Sequence, residues 1–356
     1  MNQPLTQLDR YRLLGNSGLR VSPLCLGAMT FGTEWGIGAD LAESRRILDA
    51  FADRGGNFID TANNYSNGSS ESFLGEMLQQ RRDQFVIATK YSLNTDPTNP
   101  NAGGNHRRCM TRAVEASLNR LNTDYIDLYW LHAWDSRSSI EDVMRALDDL
   151  VRQGKILHIG LSDTPAWVVS EGHSIAKMRG WTPVSAIQIE YSLVERTSEA
   201  DLVPMAWHHG ITPTAWSPLA GGILSGKYSQ GDSKASDDSG RQGMLQSMGK
   251  LNERTLAIAD LVKQVAKEVS RTPSQVALNW LLQQPGRPIP IVGARKLAHL
   301  EDNIGALDFT LSVEHLDKLN TASSFQLPFP HSFIASDMYH GVVDGKNSIE
   351  SGFSVY

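Results

Sequence analysis

Eight short apolar segments alternate along this chain with longer segments that carry apolar residues at helical spacing, and this alternation constrains the fold most. The candidate strands are PLCLG, NFIDTA, FVIATK, YIDLYWLH, LHIGLS, AIQIEYS, ITPTAWSPL and PIPIVGA. The segments between them, such as LAESRRILDAFADRG and IEDVMRALDDLVRQG, are amphipathic. Apolar runs of this kind are typical of parallel strands that helices cover on the outside. The pattern therefore predicts an α/β fold, a (β/α)8 TIM barrel, with an N-terminal β-hairpin around residues 16–18.

The length and the loops fit one domain. The chain has 356 residues, of which 40% are hydrophobic and 20% are charged, and alternating barrels of this length commonly form one unit. We expect a single barrel domain over residues 1–356, with its core at about residues 11–324. Residues 94–107 and 229–243 are rich in turn-forming residues, which predicts long loops over the carboxyl-terminal mouth of the barrel. Residues 325–356 form a tail that either caps this mouth or packs elsewhere.

Charge and cysteine content restrict the partners. The formal net charge is −6, which argues against nucleic acid or an anionic membrane as a partner. Cys25 and Cys109 do not have metal-ligand spacing, so we expect no metal, and Cys25 is expected in the core. The first ten residues lack the apolar stretch of a signal peptide, and no segment approaches transmembrane length. We therefore expect a cytoplasmic protein that acts on a small molecule, and the sequence leaves a homo-oligomer open.

Four polar residues stand at or just after the ends of predicted strands. Asp60 and Tyr65 lie in GNFIDTANNY, Lys90 ends FVIATK, and His132 ends YIDLYWLH. Because the carboxyl ends of parallel strands meet at the mouth of a barrel, we expect these side chains to lie together. A single Tyr, Lys or His at a strand end is more often an ordinary rim residue, but the four in combination make a proton-delivery set.

This set suits proton transfer to a carbonyl oxygen. A phenol has a pKa of about 10, and a neighbouring cation such as the Lys90 ammonium lowers it. Asp60 would keep Lys90 charged and in place, and the two together would lower the pKa of Tyr65. His132 would relay or orient the proton. No side chain donates a hydride, so a cofactor must supply it. The set therefore predicts a reductase.

The order of these motifs matches a known family. DTANNY, ATK and WLH follow three successive strands in the order that the aldo-keto reductase superfamily uses, and from YRLLGNSGLRVSPLCLG to LEDN the chain resembles that superfamily, in particular its aryl-alcohol dehydrogenase-like branch. The resemblance implies reduction of aldehydes or ketones by hydride transfer from NADP(H), with Tyr65 as the proton donor.

The resemblance also implies a cofactor site. Ser162, Asp163 and Gln188 match the positions that hold the nicotinamide carboxamide, although Asn is commoner in the family where Asp163 stands. Trp216 matches the aromatic residue that stacks on the nicotinamide, whereas a tryptophan in a buried strand is otherwise often core. The remaining matched positions lie on the pyrophosphate side and at the 2′-phosphate end: Ser217, Leu219, Gly221, Gly222, Lys227, Gly293, Ala294, Arg295, His299, Asp302 and Asn303.

Two other nucleotide-binding motifs are incomplete or absent. The segment GGILSGKY is similar to a phosphate loop, but that pattern requires Ser or Thr after the lysine as a Mg²⁺ ligand, and Tyr228 stands there. No G-x-G-x-x-G follows the first strand, so the Rossmann fingerprint is missing. In the family that this chain resembles, the same glycine-rich segment runs beside the pyrophosphate, and backbone amides of such turns suit anions.

The segment IVGARKLAHLEDN favours NADPH over NADH. Arg295 and Lys296 follow the eighth strand at the start of a short helix, where their charges and the backbone amides suit a 2′-phosphate. The same two residues would also fit a solvated helix face. His299 stands where the family has Gln or Arg.

Two tryptophans bear on the substrate. Trp35 and Trp134 lie in loops that follow predicted strands, and two indoles at the mouth would favour aromatic or bulky substrates. Either tryptophan could instead pack under a helix. Two other functions stay open: a non-catalytic nicotinamide-nucleotide sensor that resembles channel β-subunits, and a sugar, lactone or alcohol dehydrogenase that works in the oxidative direction.

Overall fold

The computed structural model describes residues 8–228, 243, 245–247, 249–345 and 347. Most of the predicted loop at residues 229–243, the first seven residues and the end of the tail lie outside the described residues. Within them, eight parallel strands close into a barrel in the order β10-β3-β4-β5-β6-β7-β8-β9, and β1 and β2 form an antiparallel hairpin. The strands are β1 Arg12–Leu13, β2 Arg20–Val21, β3 Cys25–Gly27, β4 Phe58–Asp60, β5 Val86–Tyr91, β6 Ile126–Leu131, β7 Ile156–Ser162, β8 Val184–Glu190, β9 Thr212–Trp216 and β10 Ile289–Gly293.

Helices surround the barrel and alternate with its strands, which confirms the predicted (β/α)8 architecture. They are α1 Leu41–Asp53, α2 Ser69–Leu78, α3 Arg107–Leu121, α4 Ile140–Arg152, α5 Ala166–Arg179, α6 Leu202–His209, α7 Glu253–Glu268, α8 Pro273–Leu282, α9 Leu297–Ile304, α10 Val313–Ala322, α11 His331–Ile334 and α12 Asp337–Val343. Short 3-10 helices cover Tyr65–Gly68, Arg82–Gln84, Thr197–Glu199, Ala220–Ser225 and Gly305–Leu307. Polar residues define several helix starts, as where the side chains of Asn252 and Thr272 cap α7 and α8.

The barrel interior is filled by its own cluster of apolar side chains, separate from the layer between strands and helices. This inner cluster contains Cys25, Phe58 and Trp130, and the hairpin residues Leu14 and Val21 close it at the amino ends of the strands. Gly160 permits the close packing, because a Cβ there would lie 2.2 Å from the Trp130 ring. The expectation that Cys25 belongs to the core is confirmed.

The strand register decides which residues face the barrel mouth. Asp60 pairs with Ala88, and Lys90 pairs with Trp130. Because side chains alternate between the two faces of a strand, Lys90 shares the inward face with Ala88 and therefore with Asp60. The register of the next three strands, with the same alternation of side chains, puts His132, Ser162 and Gln188 on this inward face as well. The carboxyl ends of five neighbouring strands thus direct polar side chains into one space.

The described part of the tail adds little to the core. Helices α11 and α12 contain no buried residue within residues 331–343. Whether the tail caps the mouth, and whether residues 1–356 fold as one domain, stay predictions. Over the described ranges, no helix is both long and apolar enough to cross a bilayer.

Candidate active site at the carboxyl end of the barrel

Lys90 links the two acidic groups of the predicted proton-delivery set. Its side chain is 0% exposed, and its ammonium donates to the carboxylate of Asp60. The same Nζ atom lies 2.8 Å from the carbonyl oxygen of Thr61 and 3.1 Å from the hydroxyl oxygen of Tyr65. The structure therefore brings Asp60, Lys90 and Tyr65 together, as the sequence predicted.

Asp60 is held from a second side. The amide Nε2 of Gln188 donates to the other carboxylate oxygen of Asp60 over 2.9 Å. Gln188 was predicted to hold the carboxamide, and its nitrogen is instead engaged within the protein. Its carbonyl oxygen remains as the group that could accept a hydrogen bond from a carboxamide.

Tyr65 begins a strained turn at the mouth. It starts the 3-10 helix Tyr65–Gly68, in which Ser66 and Asn67 have φ values of 46° and 54°. The Tyr65 ring packs edge to face against His132, with centroids 5.9 Å apart, and against Trp35 at 6.3 Å. These contacts fix the phenol with its hydroxyl toward Lys90. All four predicted catalytic residues are therefore neighbours.

The ionisation of the set is decided by competition between burial and charge. Burial raises the pKa of the Tyr65 phenol, the Lys90 ammonium lowers it and the Asp60 carboxylate raises it, and the net pKa lies above the ordinary value. The charge of Lys90 acts on this pKa more strongly than the opposing charge of Asp60, so the pair acts in the expected direction and the net rise comes from burial. Burial would lower the pKa of Lys90, but Asp60 and Tyr65 outweigh it and raise the net pKa. Lys90 is thus a charged ammonium beside a neutral phenol.

His132 is a neutral imidazole. Burial and the nearby charge of Lys90 lower its pKa to about 3. Its Nδ1 atom is buried and makes no hydrogen bond with the described residues. A neutral ring can still donate one N–H, so His132 can orient a carbonyl oxygen without adding a charge.

Asp163 and Trp216 form a pair next to the set. The indole Nε1 of Trp216 donates to Asp163 over 2.9 Å. Lys250 approaches the indole ring, with 5.5 Å from Nζ to the centroid, and pairs with the carboxylate of Glu190. The sequence analysis missed Glu190 and Lys250. Glu190 could have been found two residues after Gln188 on the same strand face, but no local signal marks Lys250.

Ser162 presents an unused polar atom. The residue is buried, and its Oγ atom has no hydrogen-bond partner among the described residues. An unpaired buried hydroxyl costs free energy unless a ligand or water completes it. A carboxamide oxygen is a suitable acceptor for this hydroxyl, as predicted for Ser162.

The glycine-rich segment after β9 forms a tight turn. Gly221 and Gly222 have φ values of 66° and 102°, and Ser217 Oγ accepts the Gly221 amide over 3.0 Å. Leu219 precedes this turn and is half-buried, whereas Tyr228 packs into the outer core cluster. The Gly222 amide donates to the carbonyl oxygen of Leu219 over 2.9 Å, so the amides of both glycines are engaged within the segment.

Three cations gather around His299. Burial lowers the pKa of His299, and the charges of Lys227, Arg295 and Lys296 lower it further, against a smaller opposing effect of the Asp302 carboxylate. These residues come from the glycine-rich segment and from the start of α9, so the fold joins two predicted cofactor segments. A concentration of positive charge is the arrangement that a phosphate requires.

The other residues predicted around α9 have structural partners. The Asp302 carboxylate accepts from Thr272 and Gln275, over 2.9 and 3.1 Å. Asn303 is buried, and the carbonyl oxygen of Ala294 accepts from Thr30 over 2.9 Å. Gly293, at the end of β10, is exposed. The Asp302 contacts attach α9 to α8, a role that the sequence analysis did not predict.

The two predicted substrate tryptophans differ in their surroundings. Trp35 is 41% exposed and touches the Tyr65 ring. Trp134 is half-buried and packs against the outer core cluster. Of the two, Trp35 is the one with an exposed apolar face in contact with the Tyr65 ring.

Comparison with known proteins identifies the family of this chain. The model of the Aldo/keto reductase family matches residues 23–323. An aryl-alcohol dehydrogenase [NADP(+)] of Phanerodontia chrysosporium is 39% identical over 96% of this chain and 93% of its own length. A norsolorinic acid reductase of Aspergillus flavus is 38% identical over 93% of this chain and 86% of its own length. A putative aryl-alcohol dehydrogenase of Saccharomyces cerevisiae is 37% identical over 94% of this chain and 92% of its own length. The chain belongs to the aldo/keto reductase family.

Proposed function

We propose that this chain is an NADPH-dependent oxidoreductase that reduces aldehydes or ketones to alcohols, with Tyr65 as the proton donor. The observation that carries the proposal is the buried Lys90 ammonium, which contacts the Asp60 carboxylate and the Tyr65 hydroxyl at once. A fixed cation beside a phenol stabilises the phenolate that proton transfer leaves behind. General acids placed in this way contribute about 10²- to 10⁴-fold to a rate.

The residues at the mouth fit a nicotinamide cofactor. The unpartnered Ser162 hydroxyl and the free carbonyl oxygen of Gln188 offer a donor and an acceptor to a carboxamide. Trp216 offers an aromatic face, and the cations around His299 suit a 2′-phosphate. NADPH, when bound, supplies the hydride. The printed name of the Phanerodontia chrysosporium relative specifies NADP(+), which supports the same choice.

In this proposal, each of the four side chains has its own role in proton transfer to the substrate. Tyr65 gives its proton to the carbonyl oxygen as negative charge develops there. Lys90 stabilises the resulting phenolate, and Asp60 keeps the ammonium in position. His132, which is neutral because burial and Lys90 hold its pKa down to about 3, donates an N–H to the same oxygen.

We include aromatic or bulky carbonyl compounds in the proposed substrate class. The exposed indole of Trp35 stands edge to face against the Tyr65 ring at 6.3 Å, so a flat apolar surface borders the proton donor. Such surfaces favour planar rings over polyols. Relatives with the name aryl-alcohol dehydrogenase support this choice.

The proposal is tested with purified protein, NADPH or NADH, and a panel of carbonyl compounds. We expect consumption of NADPH with substituted benzaldehydes, followed by absorbance, and slower consumption with NADH. Tight NADPH binding without turnover on any carbonyl would instead identify a nucleotide sensor. Turnover only with alcohols and NADP⁺ would identify an enzyme that works in the oxidative direction.

A further inference from the structure

A cavity far from the proposed active site is lined by three histidines and a lysine. Its volume is about 650 Å³, and the side chains that matter for its chemistry are His173, His208, His209 and Lys177. Trp207 forms an exposed wall, with 61% of its surface accessible. The lining contains no carboxylate. Nothing in the proposed oxidoreductase chemistry uses this group of residues.

The cavity lies at the amino ends of the strands. His173 contacts the carbonyl oxygen of Val184, the first residue of β8, and Gly210 lies just before β9. Gln188 and Trp216, near the carboxyl ends of the same strands, belong to the candidate active site. Strands of five to seven residues separate the two places by roughly 15 to 20 Å at about 3.3 Å per residue.

The three imidazoles form a continuous row. The His173 and His209 ring centroids are 4.8 Å apart, and those of His208 and His209 are 5.0 Å apart. The Nδ1 atom of His173 lies 3.2 Å from the Val184 carbonyl oxygen, so this nitrogen carries the proton and Nε2 is the acceptor. His209 Nε2 lies 2.9 Å from the Ser170 hydroxyl, which can donate to it or accept from it.

Only positive charges act on this row. Burial, His209 and Lys177 lower the pKa of His173 to about 4, against a smaller opposing effect of the Val184 carbonyl. Burial, His208 and Lys177 lower the pKa of His209. The charged and titratable groups therefore come from α5 and α6, while the hairpin contributes the neutral Asn16 and β8 contributes backbone. An anion in the cavity would oppose this repulsion and favour the protonated forms of His173 and His209.

Several donors in the cavity are available to a ligand. Lys177, Ser174 and His208 have no hydrogen-bond or ion-pair partner in the described part of the chain, although His208 contacts the ring of His209. Protonation of His209 costs no internal hydrogen bond, because the Ser170 hydroxyl can turn from donor to acceptor. Across the described residues, no group of His, Cys, Asp or Glu has a metal-binding arrangement. The cavity therefore offers hydrogen-bond donors to a ligand.

We propose that this cavity binds a small oxyanion, a phosphate or carboxylate group, and that binding places a proton from solvent on the histidine row. Lys177 supplies the permanent charge, and His209 and His173 supply further N–H donors. Trp207 contacts the apolar part of a ligand that carries the anionic group. Binding is therefore tighter at lower pH. This site is independent of the oxidoreductase chemistry.

The test is a titration with inorganic phosphate, followed through the imidazole Cε1–H signals in NMR spectra. NADP⁺ is present at saturation so that the cofactor site does not take up phosphate, and single His→Gln variants assign the signals. We expect saturable shifts of the His173, His208 and His209 signals, with a Kd several-fold lower at about pH 5 than at about pH 6, a range in which inorganic phosphate stays mostly a monoanion. Lys177→Met is expected to weaken binding by about two- to five-fold, the range for one exposed ion pair.

Lys267→Met serves as the matched control, because Lys267 is an exposed lysine on α7 away from the cavity. It should leave the phosphate titration unchanged. Shifts that do not saturate, a Kd that does not change with pH, or equal effects of the two lysine variants would each overturn the proposal.

Discussion

The indole nitrogen of Trp216 donates a hydrogen bond to the carboxylate of Asp163, with 2.9 Å between Nε1 and Oδ1. Asp163 lies at the rim with a φ of 42°. Partial burial of its carboxyl group raises its pKa, and the indole hydrogen bond opposes this rise without cancelling it. The bond fixes the plane of the indole and places a carboxylate beside it.

We expect Asp163→Asn to weaken NADP⁺ binding relative to NADPH binding by about two- to five-fold, a screened effect of one exposed charge. The reason is that a carboxylate near the ring attracts the positively charged oxidised nicotinamide more than the neutral reduced form. Fluorescence titration with both cofactors measures the ratio. The control is Glu171→Gln, an exposed carboxylate on α5, which should leave the ratio unchanged; an unchanged ratio in Asp163→Asn would contradict the prediction.

Tyr65→Phe should lower kcat by roughly 100-fold or more while the Kd of NADPH stays within about two-fold. The substitution keeps the ring that packs against His132 and Trp35 and removes only the hydroxyl that contacts Lys90. Steady-state rates and cofactor titration check both parts. Tyr11→Phe, at an exposed tyrosine, should leave the rate unchanged. Near parental turnover in Tyr65→Phe would remove Tyr65 from its role.

Lys90→Met should move the pH–rate profile of alcohol oxidation to higher pH. Burial raises the pKa of Tyr65 and Lys90 opposes it, so removal of the ammonium raises the phenol's pKa further and less phenolate is available to accept a proton. Lys90→Arg retains the charge and should move the profile less. Thermal unfolding of both variants shows whether the protein still folds when the buried Asp60 carboxylate has lost the Lys90 ammonium. Profiles that coincide with that of the parent would leave Lys90 with a structural role only.

Arg295→Ala should raise the Kd of NADPH by about ten-fold and that of NADH much less, since a charge-assisted hydrogen bond to a phosphate is lost only in the first case. Isothermal titration with both cofactors gives the comparison. Arg54→Ala, at a surface arginine that pairs with Glu301 of α9, is the matched control. Equal losses for the two cofactors, or a parent that prefers NADH, would argue against the phosphate role.

Trp35→Ala should raise KM for substituted benzaldehydes by about ten-fold and leave KM for small aldoses nearly unchanged, because it removes an exposed apolar face beside Tyr65. The same change at Trp134, which packs against the outer core, should mainly lower the melting temperature. The measurement is kcat/KM for both substrate classes. A parent enzyme that prefers aldoses would contradict the aromatic pocket while leaving the reductase proposal intact.

The sequence by itself determined the barrel and predicted that Asp60, Lys90 and His132 lie together at its mouth. Apolar runs that end in Asp60, Lys90 and His132 predict buried parallel strands with polar ends, and the alternation of strand and helix leaves one closed arrangement for eight such units. Since the carboxyl ends of the strands share one rim, residues far apart in the chain could be grouped before any contact was known.

Only the tertiary structure decided how these residues act on one another. Lys250 pairs with Glu190, which lies 60 residues earlier in the chain, and approaches the Trp216 ring. The Asp302 carboxylate accepts hydrogen bonds from Thr272 and Gln275. The net rise in the pKa of Tyr65 depends on burial, and the half-buried position of Trp134 depends on packing. The local sequence pattern gives the polarity and spacing of residues along the chain. Desolvation and long-range partners depend on distances between residues that are set only when the chain has folded.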